Sequence, residues 1–103
     1  MSVVVSFSIF SLYGDKSKAE EIAKVHKVLK ELNVKCELNA MNSVFETESL
    51  KEAFFILEKC NEALSDYKRV YLNANFDIKN SNEKLRIKQK VKSVEEIIKN
   101  EFN

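Results

Sequence analysis

The sequence predicts an α+β fold in which a four-stranded antiparallel sheet carries helices packed against it. Three observations predict it. Residues alternate apolar and polar over 3–10, 34–48 and 69–78, the period of a half-buried strand. Apolar residues recur at helical spacing over 17–32, 50–65 and 83–101. The chain of 103 residues holds one glycine and no proline, so its bends must be made by Asn, Asp and Ser.

The first strand is read from "VVVSFSIF", with Val3, Val5, Phe7 and Ile9 on one face and Val4, Ser6, Ser8 and Phe10 on the other. "SLYGD" (11–15), with Gly14, ends it. The first helix has the stripe Ile22, Val25, Leu29 and Leu32. A capping box at Ser17–Glu20 starts it and Asn33 is its left-handed stop. The stretch "CELNAMNSVFETE" (36–48) reads as two strands about a Met41-Asn42 bend. The second helix opens at a second capping box, Ser49–Glu52, and carries Leu50, Ala53, Phe54, Leu57 and Leu64. The last strand, "RVYLNANFDI", sets Val70, Leu72, Ala74, Phe76 and Ile78 against Tyr71, Asn73, Asn75 and Asp77. Ile87, Val91, Val94 and Ile98 mark a third helix. Two strand–helix–strand units joined by a hairpin give the ferredoxin-like βαββαβ arrangement, extended by one C-terminal helix. In that arrangement the first and third strands are central, and residues 1–103 form one domain.

Bulk composition narrows the function. Seventeen basic residues against sixteen acidic leave a net charge of +1, which argues against a nucleic-acid binder. No apolar run reaches the roughly 20 residues of a membrane span, and the N-terminus lacks the basic region of a secretion signal, so a cytoplasmic protein is expected. Cys36 and Cys60 form no CxxC and read as buried thiols. His26, the one histidine, has no nucleophile or metal-ligand partner at useful spacing. Lys84, Arg86, Lys88, Lys90 and Lys92 read as a solvated basic face. No constellation supports catalysis, and no cofactor is expected.

The alternation assigns side chains to the sheet's open face. All three helices are expected on one side of the sheet, over Val3/Val5/Phe7/Ile9, Val34/Cys36/Leu38 and Val70/Leu72/Ala74/Phe76. The open face then carries Ser6, Ser8, Phe10, Glu37, Asn39, Met41, Tyr71, Asn73 and Asn75, together with Val44 and Glu46 if Phe45 is buried. So lysine-poor a face in a lysine-rich chain points to a surface that meets a small ligand, a second subunit, or both.

"LNAMNSVFETE" resembles the hairpin of a family of small thiamine-binding proteins, in which a Met-containing bend precedes a hydroxyl residue, two apolar residues and a Glu: here Met41, Ser43, Val44-Phe45 and Glu46. "KRVYLNANFDI" is similar to the family's last strand and "KVKSVEEII" to its closing helix. The resemblance implies a non-enzymatic cytoplasmic binder of thiamine or its hydroxymethylpyrimidine part. It also implies homodimers or homotetramers assembled through the sheets, with ligand near the interfaces. Carboxylates and amides pair with the edge of an aminopyrimidine and aromatic rings stack on its face. The candidate ligand residues are therefore Ser8, Phe10, Asn39, Met41, Ser43, Glu46, Tyr71 and Asn73. The alternative is an interaction module of the same fold that has lost the ligand, because the family's acidic-acidic-Arg-Arg run is here Asp77-Ile78-Lys79-Asn80.

Overall fold

A computed structural model describes residues 1–12 and 17–102. The strand break anticipated at "SLYGD" therefore falls largely outside the described residues. The order is β1 (Ser2–Ser11), α1 (Ala19–Glu31), β2 (Glu37–Leu38), β3 (Ser43–Thr47), α2 (Leu50–Glu62), β4 (Val70–Lys79) and α3 (Arg86–Phe102). The sheet runs β2-β3-β1-β4 with each described pair antiparallel, so β1 and β3 are central as predicted.

Period-two alternation sets the layers. Val3, Val5, Phe7 and Ile9 of β1 and Phe45 of β3 point to one face, where Val25 and Leu29 of α1 and Ala53, Ile56, Leu57 and Cys60 of α2 bury them. Phe7 and Phe45 meet edge to face with ring centroids 5.6 Å apart. Burying one such ring contributes about 1.5–3 kcal/mol, so this row is the main apolar drive for the fold. Local signals shape the ends. Ser49 Oγ accepts from Glu52 N (3.1 Å), the predicted cap of α2. Asn33, at φ 58°, makes the left-handed stop after α1. The box predicted at Ser17 does not form: α1 starts at Ala19, and Ser17 Oγ accepts only from Ala19 N (3.2 Å).

Two expectations need correction. The second strand was expected over 34–40, yet only Glu37 and Leu38 pair, with Val44 and Ser43. The preceding residues instead serve the end of α1, where Val34 N donates to Leu29 O (2.9 Å). The larger difference is α3. Its first turn docks on the face opposite α1 and α2: Arg86 donates to Ser2, and Glu46 accepts from Ile87 N. Ser2 and Glu46 lie on the even-numbered face of the sheet, with Glu46 directly opposite Val4. From Lys88 to Glu101 every residue of α3 is exposed. With α3 on the other face, Leu72 of β4 and Leu38, both expected under helices, remain 41% and 59% exposed, and Ile78, on the same face of β4, is 43% exposed.

Candidate functional site: the open sheet face

The register builds a compact polar and aromatic patch on the face away from α1 and α2. Ser8 stands opposite Asn73 and Phe10 opposite Tyr71, so four of the eight candidate residues are immediate cross-strand neighbours. Phe10 and Tyr71 stack with centroids 5.6 Å apart and planes 28° from parallel. Tyr71 is half exposed, leaving a ring face free for a flat ligand. Next along the strands come Ser6 and Asn75, opposite each other. Together these residues offer hydroxyl and amide groups that both donate and accept, beside a π surface.

The hairpin bend is tied to this patch. Asn39 N donates to Asn42 O (2.8 Å) and Asn39 Nδ2 to Asn42 Oδ1 (3.2 Å). Asn42 Nδ2 in turn donates to Ser6 Oγ (2.7 Å). None of residues 39–42 is at positive φ, so this bend does not call for glycine, and the amide hydrogen bonds close it. Met41 projects from the tip, 90% exposed.

Glu46 and Ser43 lie elsewhere. Glu46 is four residues along the strands from the level of Ser8, about 13 Å, and about 20 Å from that of Phe10. Its carboxylate accepts from Ser2 Oγ (2.6 Å) and from Ile87 N (3.4 Å). Burial pushes its carboxyl pKa up, but the hydrogen bonds from Ser2 and the Arg86 and Ile87 amides, with the Arg86 charge, hold it below the ordinary value. Ser43 is on the helix-covered face, nearly buried, with His26 Nε2 at 2.9 Å from its Oγ. Burial lowers the His26 pKa, keeping the ring neutral near pH 7. The Cys36 thiol is pushed up to about 11, chiefly by burial, and the Cys60 thiol to about 12 for the same reason, so both are protonated and inert as nucleophiles.

Arg86 was missed as a structural residue. Read as part of a solvated basic face, it is 5% exposed. Its Nε donates to Ser2 Oγ (2.9 Å), its Nη2 to Ser2 O (2.9 Å) and Asp77 O (2.7 Å), and its Nη1 pairs with Asp77 Oδ1 (3.2 Å). Lys90 also binds the Asp77 carboxylate, and these two cations hold the Asp77 carboxyl below its usual range. Asp77 four residues beyond Asn73, with basic residues one helical turn apart at 86 and 90, was the available signal.

A groove of about 1150 Å³ lies beyond the uncovered part of the β3 edge, lined by His26, Cys36 and Glu37 on one side and Glu46, Lys84 and Lys88 on another. Of the candidate residues only Glu46 reaches it. Among the described residues no cluster of His, Cys, Asp or Glu could hold a metal ion, and no helix is long and apolar enough to cross a membrane.

The chain is similar in structure to a hypothetical protein of Methanocaldococcus jannascii, with 29% identity, a TM-score of 0.77, and coverage of 92% of this chain and 97% of that one. It also matches a Thermotoga maritima protein named for thiamine biosynthesis or salvage (21% identity, TM-score 0.71, 85% and 95% covered). A Bacillus cereus domain of unknown function shares the same fold (19% identity, TM-score 0.71, 84% and 86% covered). No curated protein matches significantly. The family model described as thiamine-binding protein matches residues 5–95, nearly the whole chain including every residue of the patch, and the chain belongs to that family.

Proposed function

We propose that this protein is a single-domain, non-enzymatic cytoplasmic binder of thiamine or its hydroxymethylpyrimidine part, assembled as a homodimer or homotetramer, with ligand held on the open sheet face. The observation that carries the reading is the cross-strand square of Ser8, Asn73, Phe10 and Tyr71. Tyr71 and Phe10 offer the stacking surface and Asn73 and Ser8 the edge contacts. Asn39 and Met41, at the bend, would close one side of the ligand. A thiazolium cation would be attracted to the aromatic face. The patch lies on a sheet surface and not in the groove, so a neighbouring copy would supply the remaining wall.

Isothermal calorimetry of the full chain with thiamine and with the pyrimidine fragment tests this. Saturable binding is expected, at least about tenfold weaker in Tyr71→Ala, whose side chain is half exposed and adds little to the core. Absence of binding by both compounds at millimolar concentration would remove the ligand assignment. The second reading, an interaction module without ligand, is favoured by the place of Asp77, whose carboxylate is occupied by Arg86 and Lys90.

A further inference from the structure

The outer side of β3 is only partly used. All five residues of β3 pair with β1, from Ser43 with Phe7 to Thr47 with Val3. On the other side only Ser43 and Val44 pair, with Leu38 and Glu37. The chain before β2 turns toward α1, where Val34 N donates to Leu29 O. Phe45, Glu46 and Thr47 therefore have no strand outside them among the described residues. Three residues of strand make an edge roughly 10 Å long. Such an edge offers main-chain N–H and C=O groups to any extended chain that reaches it. The groove of about 1150 Å³ runs beside it and keeps it reachable.

The walls of the groove define what that chain would carry. Side chains of an added strand point alternately to the two faces of the sheet. Toward the helical layer they meet Leu29 of α1 and Ile56 of α2, both apolar, with Lys30 and Glu52 offsetting each other on that side. Toward the opposite face they meet the start of α3, where the charges do not balance. Lys84 pairs with Glu48 at 3.2 Å, and the Glu46 carboxylate is held by Ser2 Oγ and Ile87 N beside the Arg86 guanidinium. Lys88 is exposed and has no acidic partner among the described residues.

We infer that the uncovered edge of β3 docks an extended peptide segment of a partner protein, one in which apolar and acidic residues alternate. The segment joins the sheet as a strand outside β3. Its main chain pairs along Phe45 to Thr47, its apolar side chains enter the groove toward Leu29 and Ile56, and an acidic side chain on the other face meets Lys88. Main-chain pairing gives the affinity and the two walls give the specificity. A second copy of this chain fits the edge poorly, because antiparallel edge-to-edge pairing brings two Lys88 walls onto one face of the joined sheet. The site lies across β3 from β1 and β4, away from the patch of Ser8, Phe10, Tyr71 and Asn73, and does not rest on the ligand reading.

Fluorescence anisotropy of the full chain with a labelled seven-residue peptide of alternating valine and glutamate is the test. Saturable binding is expected. It is expected to weaken at least about tenfold in Lys88→Glu, and by as much when the glutamates of the peptide are replaced by lysine. Lys88→Glu is at an exposed position and its circular dichroism is expected to stay native. A peptide methylated on all its main-chain nitrogens is expected not to bind, and in an amide NMR titration the resonances of Phe45, Glu46 and Thr47 are expected to shift. No saturable binding at millimolar peptide overturns the inference. So does a Lys88→Glu chain that binds as tightly as the wild type, or a fully methylated peptide that binds as well as the parent. Saturating thiamine is expected to leave the peptide bound, and displacement would overturn the assignment of a separate site. Failure of thiamine to bind while the peptide does concerns only the ligand reading.

Discussion

Replacing Arg86 with Met tests how α3 is held. Methionine keeps most of the apolar stem and removes the guanidinium. Two of the lost hydrogen bonds go to the buried Ser2, from Nε to Oγ and from Nη2 to the carbonyl, each at 2.9 Å. A hydrogen bond from a charged group contributes about 1.5–3 kcal/mol net, so these two account for roughly 3–6 kcal/mol. The ion pair with Asp77 adds little, because the Asp77 side chain is 46% exposed and water screens the pair. The expected loss is therefore about 4 kcal/mol, a large share of the 5–15 kcal/mol typical of a domain. Urea unfolding followed by circular dichroism at one fixed chain concentration measures it. With a slope of about 1.5 kcal/mol per molar, the midpoint falls by between 2 and 3 M. Asp77→Asn, which removes the exposed pairs with Arg86 and Lys90 and keeps the backbone carbonyl, is expected to lower the midpoint far less than Arg86→Met does. A loss below about 1 kcal/mol for Arg86→Met would refute the reasoning, as it would mean that water satisfies Ser2 as well as the guanidinium does.

Three further outcomes follow from the same structure. Glu21 is nearly buried on α1 and accepts from Ser11 N (2.5 Å) and Ser11 Oγ (2.9 Å), with Lys18 Nζ at 3.2 Å; burial raises its pKa, but these partners outweigh it and the folded value lies below the ordinary one. Its stabilisation is thus complete above the unfolded carboxyl pKa, about 4.3, and is lost as pH falls through the lower folded value. The stability gap between wild type and Glu21→Gln is expected to shrink from pH 7 toward pH 3 in thermal melts, and a pH-independent gap would contradict this. Leu85 holds φ 59° with its side chain 73% exposed. Left-handed backbone costs a non-glycine residue about 1–2 kcal/mol, part of which glycine returns through a looser unfolded chain. Leu85→Gly is expected to stabilise by up to about 1 kcal/mol in denaturant titration, and Leu85→Ala is not. Phe45, fully buried against Phe7, is expected to cost about 3–5 kcal/mol as Phe45→Ala in the same titration.

The sheet was legible because its signals are periodic. The alternation runs over residues 3–10 and 69–78, and the register places Ser8, Phe10, Tyr71 and Asn73 together as that alternation required. The phase of β3 followed from the size of Phe45. The placement of α3 was not legible, because a helical stripe says that a face will be buried and not by what. The residue that redirects the chain is Leu85, and a left-handed leucine has no sequence signature. Arg86 looked like its lysine neighbours because burial of one cation in five depends on Ser2, 84 residues away. Glu46 and Ser43 were grouped with the patch by their place in the hairpin, but strand length separates the first from it and sheet parity the second.

The central position of β1 has a consequence for how the protein is made. Its partners on one side run from Val70 to Lys79, and Ser2 finds its neighbour only when Lys79 has been synthesised. Pairing so distant in sequence is slow, since a long loop must close before any contact rewards it. Until then the ribosome has released "SVVVSFSIFS", ten residues without a charge, a proline or a glycine. Such a segment is a template for intermolecular β-zippers while its two edges are bare. In the finished fold β3 and β4 occupy both edges, so the stretch most prone to aggregate in the nascent chain is the one most thoroughly sequestered in the native one.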